Sequence, residues 1–493
     1  MFNKYVQVTI RLAEDLIPTL LKIRSTLFIA LSISLFISTP LLTLAQNPTD
    51  AQKLIPDSTS KLTPPKAMLN APEKPKRFGR AAWQLGLGEA TPFTFNTISG
   101  APYAKVTFKS IGHNLKPSSW AWDKDIFQTN QFGHPYHGSL YFSAFRSNGY
   151  NFWQSAAATA AGSYLWETFG ENEAPSPNDF VNTTFGGVVL GEMSHRIANR
   201  MVNNRSTGFK RQLTEVAAFL INPMNGLNRI IDGKWGHRST LPADRDSSKI
   251  TADFDLGIRS FNANNKNFVK YGKFGWFARA KLFYGNRYEN FSTPFSNIYV
   301  SAEFGKDDSS AVNNISAYGS LAGWELRSSR RLQHLLVLSA NYDYIKNESF
   351  FYGGQSVKLN LFSQFKPVGK FNFTSTLGFG PVLLGAVPDK YFQNGRNYSY
   401  GSGAAFSGGG GMSLADRFFV SADYRGAILY TLNGNKGHNF LHTLTGELRY
   451  KAKNGFSVAA EPGYFVLQSN YKEFPDSRQM YPFTRISARY SLD

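Results

Sequence analysis

The chain has 493 residues, no cysteine and a net charge of +19. The lack of cysteine excludes disulfides, thiolate metal sites and a lipidated amino-terminal cysteine. Aromatic residues form 15% of the chain, a proportion typical of membrane β-barrels, which concentrate aromatic side chains at the lipid interfaces. The basic residues are scattered singly and not gathered into a patch, so we expect no nucleic-acid partner.

The amino-terminal region has the pattern of an export signal followed by a tether. Residues 1–45 contain an apolar run, Leu27 to Ala45, that follows two basic residues and ends in small side chains. This pattern predicts a secretory signal peptide that is cleaved on export. Residues 46–80 are rich in Pro, Lys, Ser and Asn and have no hydrophobic period. They predict a disordered periplasmic linker, through which a periplasmic partner could bind.

The next two segments differ in rhythm. Residues 81–129 carry apolar residues at alternate positions, such as Leu85 and Leu87, which predicts an extended or hairpin segment. Residues 130–232 carry helix signals instead, including Pro135 at a first-turn position. We predict a small helical module there, which packs on itself, inside the barrel described below, or against the periplasmic mouth of that barrel.

Three polar pairs in the helical module have spacings that place both members on one helix face. A Glu-x-x-His pair with carboxylates from another helix is how helical bundles hold iron or manganese. The pairs are therefore candidate catalytic residues: His134 and His137, Glu167 and Glu171, Glu192 and His195. Candidate ligands of a divalent metal are His137, Glu171, Glu192 and His195. The alternative is that these groups cap helices or pair with nearby arginines.

From Ile250 to the carboxyl terminus, apolar and polar residues alternate with the two-residue period of β-strands. In the first run, the even-numbered residues are apolar and the odd-numbered residues include Asp253, Asp255 and Arg259. Similar runs follow, separated by breaks rich in Asn, Gly, Asp and Pro. The pattern predicts an antiparallel outer-membrane β-barrel over residues 250–493, with about 12 strands and a range of about 10 to 14.

A soluble β-sandwich would share the alternation, so the identity of the two faces decides between the folds. Charges at mid-strand are inexpensive when they face a wet lumen and costly when they face lipid. We therefore expect Phe254 and Trp276 on the lipid-facing side and the charged residues inside the barrel.

One part of the helical module resembles a known family. The segments that carry the resemblance include Gly133-His-Pro-Tyr-His-Gly138, Pro177-Asn-Asp179 and Leu190-Gly-Glu192. They resemble an uncharacterised family of Gram-negative envelope proteins, domain of unknown function 3943, over about residues 100–235. The resemblance implies an outer-membrane location. It brings no known activity and no established catalytic residues.

Two functions remain open on this basis. The first is an outer-membrane barrel with a role in envelope transport or architecture, in which the helical module is a plug or a periplasmic dock. The second is a lipid-modifying or metal-dependent enzyme that uses the histidine and glutamate pairs, with a divalent metal as its cofactor. In both cases the expected partners are outer-membrane lipids and, during biogenesis, the barrel-assembly machinery.

Overall fold

The structure is a computed structural model that describes residues 75–202, 206–238, 248–263, 271–307, 310–326, 328–329, 331–392, 395–452 and 454–492. The predicted signal peptide and most of the predicted linker lie outside the described residues. Eight α-helices lie within the described residues. They are α1 Phe78–Ile98, α2 Phe108–Asn114, α3 His134–Arg146, α4 Phe152–Leu165, α5 Pro177–Val181, α6 Gly187–Met201, α7 Gly208–Ile221 and α8 Pro223–Ile231.

The predicted hairpin over residues 81–129 is wrong, because α1 and α2 occupy this segment. The buried positions of α1 are Ala81, Gln84 and Gly88, which follow the three- and four-residue spacing of a helix face. The apparent alternation of leucines reflects two helix positions, with Leu85 half-buried and Leu87 exposed, and not a strand face. None of the helices in the described ranges is both long and apolar enough to cross a membrane.

Twelve antiparallel strands form a closed barrel in which each strand pairs with its neighbours in sequence and β1 pairs with β12. The fold class and the strand number predicted from the sequence are confirmed. The strands are β1 Ile250–Phe261, β2 Lys273–Tyr284, β3 Ile298–Asp307, β4 Ser310–Glu325, β5 Leu332–Lys346, β6 Phe351–Val368, β7 Phe371–Pro388, β8 Tyr398–Leu414, β9 Phe418–Asn433, β10 Gly437–Lys451, β11 Phe456–Tyr471 and β12 Ser477–Leu492.

The two faces of the strands are arranged as in a membrane barrel. On β1 and β2, Leu256 and Trp276 point outwards and are 66% and 53% exposed, whereas Asp255 and Arg259 point inwards and are buried. An apolar outer face around an ionic interior is the arrangement of outer-membrane barrels, and it is the reverse of a soluble sandwich. The chain therefore has the outer-membrane type of β-barrel.

Inward-pointing side chains fill the lumen. Near the distal end, which is the end away from Ile250 and Leu492, a buried apolar cluster combines side chains from β1 and from β5 to β12. At mid-barrel, Arg425 of β9 reaches Asp343 of β5, with 3.0 Å between Nη1 and Oδ1. These strands lie four places apart around the barrel, so the ion pair crosses the lumen. A polar cavity of about 190 Å³ remains between the described side chains at this level.

The helical module packs against the outside of the barrel. Asp343 lines the lumen cavity, so its neighbours Tyr342 and Tyr344 must point to the outer face of β5. Both tyrosines are buried, and Tyr344 stacks on Phe127 with ring centroids 5.7 Å apart. The three locations predicted for the module did not include this one. The outward faces of the strands were all assigned to lipid, whereas part of the wall is covered by helices.

Glycines allow the two central helices to touch. A Cβ atom on Gly138 of α3 would lie 1.8 Å from the carbonyl oxygen of Thr183, and one on Gly187 of α6 would lie 2.5 Å from the backbone of Gly138. The backbones are thus in direct contact, and only glycine fits at this crossing. This close approach brings side chains that are far apart in sequence into one cluster at the distal end of the helices.

Candidate functional site

Three π-helical turns shape the candidate site. They span Thr129–Gly133, Trp166–Gly170 and Asn182–Gly186, directly before α3, directly after α4 and directly before α6. A π-turn widens a helix by one residue and is found frequently at functional sites. The three turns lie at the same end of the module and carry or adjoin most of its buried polar side chains.

We call the group formed by Asp123, Asp125, His134, Glu167, Glu171 and Asp179 the carboxylate–histidine cluster. His134 and Asp179 form its centre, with 3.1 Å between Nε2 and Oδ1. The hydroxyl of Thr183 lies 3.2 Å from Nδ1 of the same imidazole. Nε2 makes no well-aligned hydrogen bond within the described residues, so this ring nitrogen is held beside a carboxylate but remains available to a third group.

An amide network holds the aspartates of the cluster. Asn178 donates from Nδ2 to Asp123 Oδ1 at 2.7 Å and to Asp179 Oδ1 at 2.8 Å. One ligand atom from each of Asp123, Asp125 and His134 can be chosen so that all three lie within 4.8 Å of one another. Two carboxylates and one imidazole are ligands that suit a divalent cation such as Mn²⁺, Fe²⁺ or Zn²⁺. These are the described residues that would hold a metal.

The two glutamates of the cluster are bound by the turn that connects α4 to α5. Glu167 Oε2 accepts a hydrogen bond from the backbone N–H of Ser176 at 2.8 Å, and Glu171 Oε1 accepts one from Trp166 Nε1 at 2.5 Å. Burial of the Glu171 carboxyl, together with the neighbouring carboxylates of Asp125 and Glu173, raises its pKa to about 7 despite that hydrogen bond. Like charges that are held together in a poorly solvated place favour the protonated form.

His137 lies beside the cluster and is occupied by structural partners. Its Nε2 is 2.7 Å from the hydroxyl of Tyr141 and 3.1 Å from the carbonyl oxygen of Gly88 on α1. The ring of Trp166 packs edge-on against it, with centroids 4.6 Å apart. His137 therefore ties α1 and α4 to α3 and positions Trp166, which in turn positions Glu171.

The remaining predicted site residues lie elsewhere. Glu192 is fully buried between Arg146 and Arg196, whose Nε atoms lie 2.7 Å and 2.8 Å from its two oxygens. His195 lies next to it on α6, with Nε2 3.0 Å from Asn199 Nδ2. Glu192 follows Thr183 by nine residues, which is about 13 Å along a helix. The structure thus brings together His134, His137, Glu167 and Glu171, but it does not assemble His137, Glu171, Glu192 and His195 as a metal site.

The barrel wall supplies polar groups that sequence reasoning missed. Tyr398 on β8 accepts a hydrogen bond from Asn130 Nδ2 and donates one to the carbonyl oxygen of Asp125, at 2.9 Å and 2.7 Å. Gln355 on β6 donates to Asn182 Oδ1 at 2.7 Å. A signal was present in the sequence, because a glutamine at an outward strand position is costly in lipid. Asp179 was also missed, because it stands in the first turn of α5, where an acidic residue is expected simply to interact with the helix dipole.

The helical module is similar to a known family model. Residues 119–224 match the model of a domain of unknown function, DUF3943, which confirms the resemblance noted in the sequence. No curated protein matches the chain.

The similar solved structures include two porins and an outer membrane channel. The KdgM porin is 11% identical, with 48% of this chain and 99% of that one covered and a TM-score of 0.23. The NanC porin is 12% identical, with 48% and 100% covered and a TM-score of 0.25. The outer membrane channel DcaP of Acinetobacter baumannii is 6% identical, with 50% and 97% covered and a TM-score of 0.24. Values this low carry no argument about what this chain does.

Proposed function

We propose that this chain is an outer-membrane protein, exported by a cleaved signal peptide, whose barrel is a scaffold for a helical module that acts on membrane lipid. One observation supports this above all. The carboxylate–histidine cluster lies between the module and the outward face of β5, β6 and β8, where lipid would otherwise lie, and its residues Glu167 and Asp179 are buried there. Six ionisable groups in one such cluster are costly for a purely structural module, and clusters of this kind are typical of functional sites.

The filled lumen favours a scaffold over a channel. A pore for solutes needs a continuous wet path, whereas the lumen of this barrel is crossed by the Arg425–Asp343 ion pair and filled by the apolar cluster near its distal end. The barrel's contribution is instead its outer wall, which is rigid because every strand is paired on both sides. Insertion of such a barrel would depend on the barrel-assembly machinery, as for other outer-membrane barrels.

The chemistry that the cluster supports is general acid–base catalysis. Burial lowers the pKa of His134 to about 4, so its imidazole is neutral and can take a proton at Nε2 from a water molecule or hydroxyl group. Asp179 Oδ1, 3.1 Å away, can accept a hydrogen bond from the imidazolium that forms. The oxygen so activated attacks an ester or phosphoester of the lipid, and the imidazolium returns its proton to the leaving alcohol. A divalent cation bound by Asp123 and Asp125 would stabilise the charge that develops on the ester oxygens.

The test is the lipid composition of the envelope in a deletion strain complemented with variants. We expect deletion to change the lipid profile measured by mass spectrometry, and the wild-type gene to restore it. His134→Asn and Asp179→Asn should fail to restore it, whereas the exposed His237→Asn should succeed. A heat-modifiability gel must show a folded barrel for every variant. An unchanged profile on deletion, or restoration by folded His134→Asn protein, would overturn the proposal.

A further inference from the structure

A large pocket opens at the distal end of the barrel, beside the carboxylate–histidine cluster. It has a volume of about 800 Å³ and lies between residues 124–128 of the module and the turns that follow β5 and β7. Its walls are partly apolar, with Phe127, Phe350 and Phe351 among the lining residues. The pocket therefore sits at the rim of the lipid-facing wall, where a headgroup would lie if the acyl chains extended along the barrel.

Basic side chains without charged partners line this pocket. Lys124 and Lys346 are lining residues, and within the described part of the chain neither Nζ forms an ion pair. The lining carboxylate of Glu348 is already paired, because it accepts hydrogen bonds from Lys273 and from the backbone N–H of Ala263, each at 2.7 Å. The charged lining residues are three cations, Lys124, Lys346 and Arg396, against two carboxylates, Asp125 and Glu348, so the pocket carries a net charge of +1, which attracts anionic groups.

A third cation is fixed in place between the pocket and the cluster. Arg396 is buried and donates from Nη1 to the carbonyl oxygen of Asp123 at 2.6 Å. It also donates from Nε to the carbonyl oxygen of Tyr398 at 3.0 Å, and its guanidinium lies 4.8 Å from the ring centre of Tyr400. These contacts position the segment that carries Asp123 rather than a ligand, so Arg396 is a positioning residue.

The pocket and the cluster share Asp125. This residue lines the pocket and also offers a carboxylate oxygen within 4.8 Å of ligand atoms of Asp123 and His134. A molecule in the pocket would therefore be next to the groups that perform the proposed chemistry. Its charge would be balanced by the lysines, and Asp125 would connect it to the cluster that contains His134.

We propose that this pocket binds the phosphate-bearing headgroup of a membrane lipid, with Lys124 and Lys346 as the groups that contact the phosphate. Ammonium groups of lysine are common phosphate ligands, and two of them on opposite walls set the position of the phosphate. This inference rests on the proposed function and names its substrate class. Both a glycerophospholipid and a phosphorylated glycolipid carry the required group.

The test measures binding by the full-length protein in neutral detergent micelles, with calorimetry as the readout. The probes are dihexanoyl phosphatidylglycerol, a soluble phosphorylated glycolipid and zwitterionic dihexanoyl phosphatidylcholine. We expect at least one anionic probe to bind at least tenfold more tightly than phosphatidylcholine, and the better of the two identifies the source. The Lys124→Gln/Lys346→Gln double variant should lose at least tenfold in affinity for that probe, whereas Lys472→Gln, an exposed lysine at the same end, should bind like the wild type.

The two proposals fail in different ways. The His134→Asn variant should bind the anionic probe like the wild type, because His134 is not a phosphate contact. If binding is charge-selective and lost in the double lysine variant, the pocket assignment holds even when His134→Asn has no effect on envelope lipids. Equal affinity for all three probes, or full binding by the double variant, overturns the pocket assignment even when His134→Asn changes the lipid profile.

Discussion

The variant Glu192→Gln tests whether Glu192 is a structural residue or belongs to the functional site. Its carboxylate has no exposed surface and accepts from both Arg146 Nε and Arg196 Nε. Glu192→Gln keeps the shape but removes the charge, so that two guanidiniums compete for one amide oxygen. Breaking a buried ion pair costs about 3–5 kcal/mol. Both arginines keep a carbonyl partner, at Tyr150 and Pro294. We therefore expect Glu192→Gln to lower the free energy of unfolding by about 3 kcal/mol, the low end of this range.

The assay is urea unfolding of the protein in micelles, followed by the helical circular dichroism signal. The heat-modifiable migration of the barrel reports separately on the strands and should not change. Replacing Glu192, Arg146 and Arg196 together by Met should recover most of the loss, because no unpaired charge is then left buried. The structural role of Glu192 would be refuted if Glu192→Gln had the wild-type free energy of unfolding but failed to restore the envelope lipid profile. Glu192 would then be a functional residue.

Three further predictions concern the helix crossing, pH and the lumen. Gly138→Ala should destabilise the helical module by about 3 kcal/mol in the same urea assay, because its Cβ has no room, whereas Gly86→Ala, which faces open space, should stabilise it by about 0.5–1 kcal/mol. The pKa of Glu171 is raised from its ordinary value of 4.5 to about 7 in the folded protein, so the native state holds this proton more tightly and the free energy of unfolding should fall as pH rises from about 4.5 to 7. Glu171→Gln should make this fall smaller by about 3 kcal/mol, and the remainder belongs to other carboxyls with a raised pKa, such as Glu89. In planar bilayers the wild type should show no stepwise conductance, and porin-like steps would contradict the role assigned to Arg425 and the filled lumen.

The barrel could be predicted because its signal is local. The alternation of apolar and polar residues within each strand shows which face of that strand is apolar. Asp255 and Arg259, which stand between apolar neighbours, therefore identify the interior of the barrel without knowledge of the partner strands. Turn residues then divide the runs into strands, which gives the number of strands. The positions of Leu256 and Trp276 on the outer face follow from the same two-residue period.

The candidate site could be predicted only in part, because its geometry depends on distant contacts. His134 and Glu167 could be found from spacing within single helices. The partner of Glu192 could not, since Arg146 lies 46 residues away, and this contact turns a plausible metal ligand into a structural ion pair. Asp123 lies in a segment without any period, and it joins the cluster through Asn178 and through Arg396 of the barrel.

The outward polar residues of the wall explain why the site and the barrel belong together. In lipid, the amide of Gln355 and the hydroxyls of Tyr342 and Tyr398 would have no hydrogen-bond partners, at a cost of several kcal/mol for each group. In the structure the module supplies partners: Gln355 donates from Nε2 to Asn182, Tyr342 donates to the carbonyl oxygen of Gln131, and Tyr398 accepts from Asn130. Separation of the module from the barrel wall is therefore unfavourable, because it would leave these polar groups without partners in lipid. Because the same contacts fix the π-turns that carry the carboxylate–histidine cluster, docking on the wall and assembly of the site are one event.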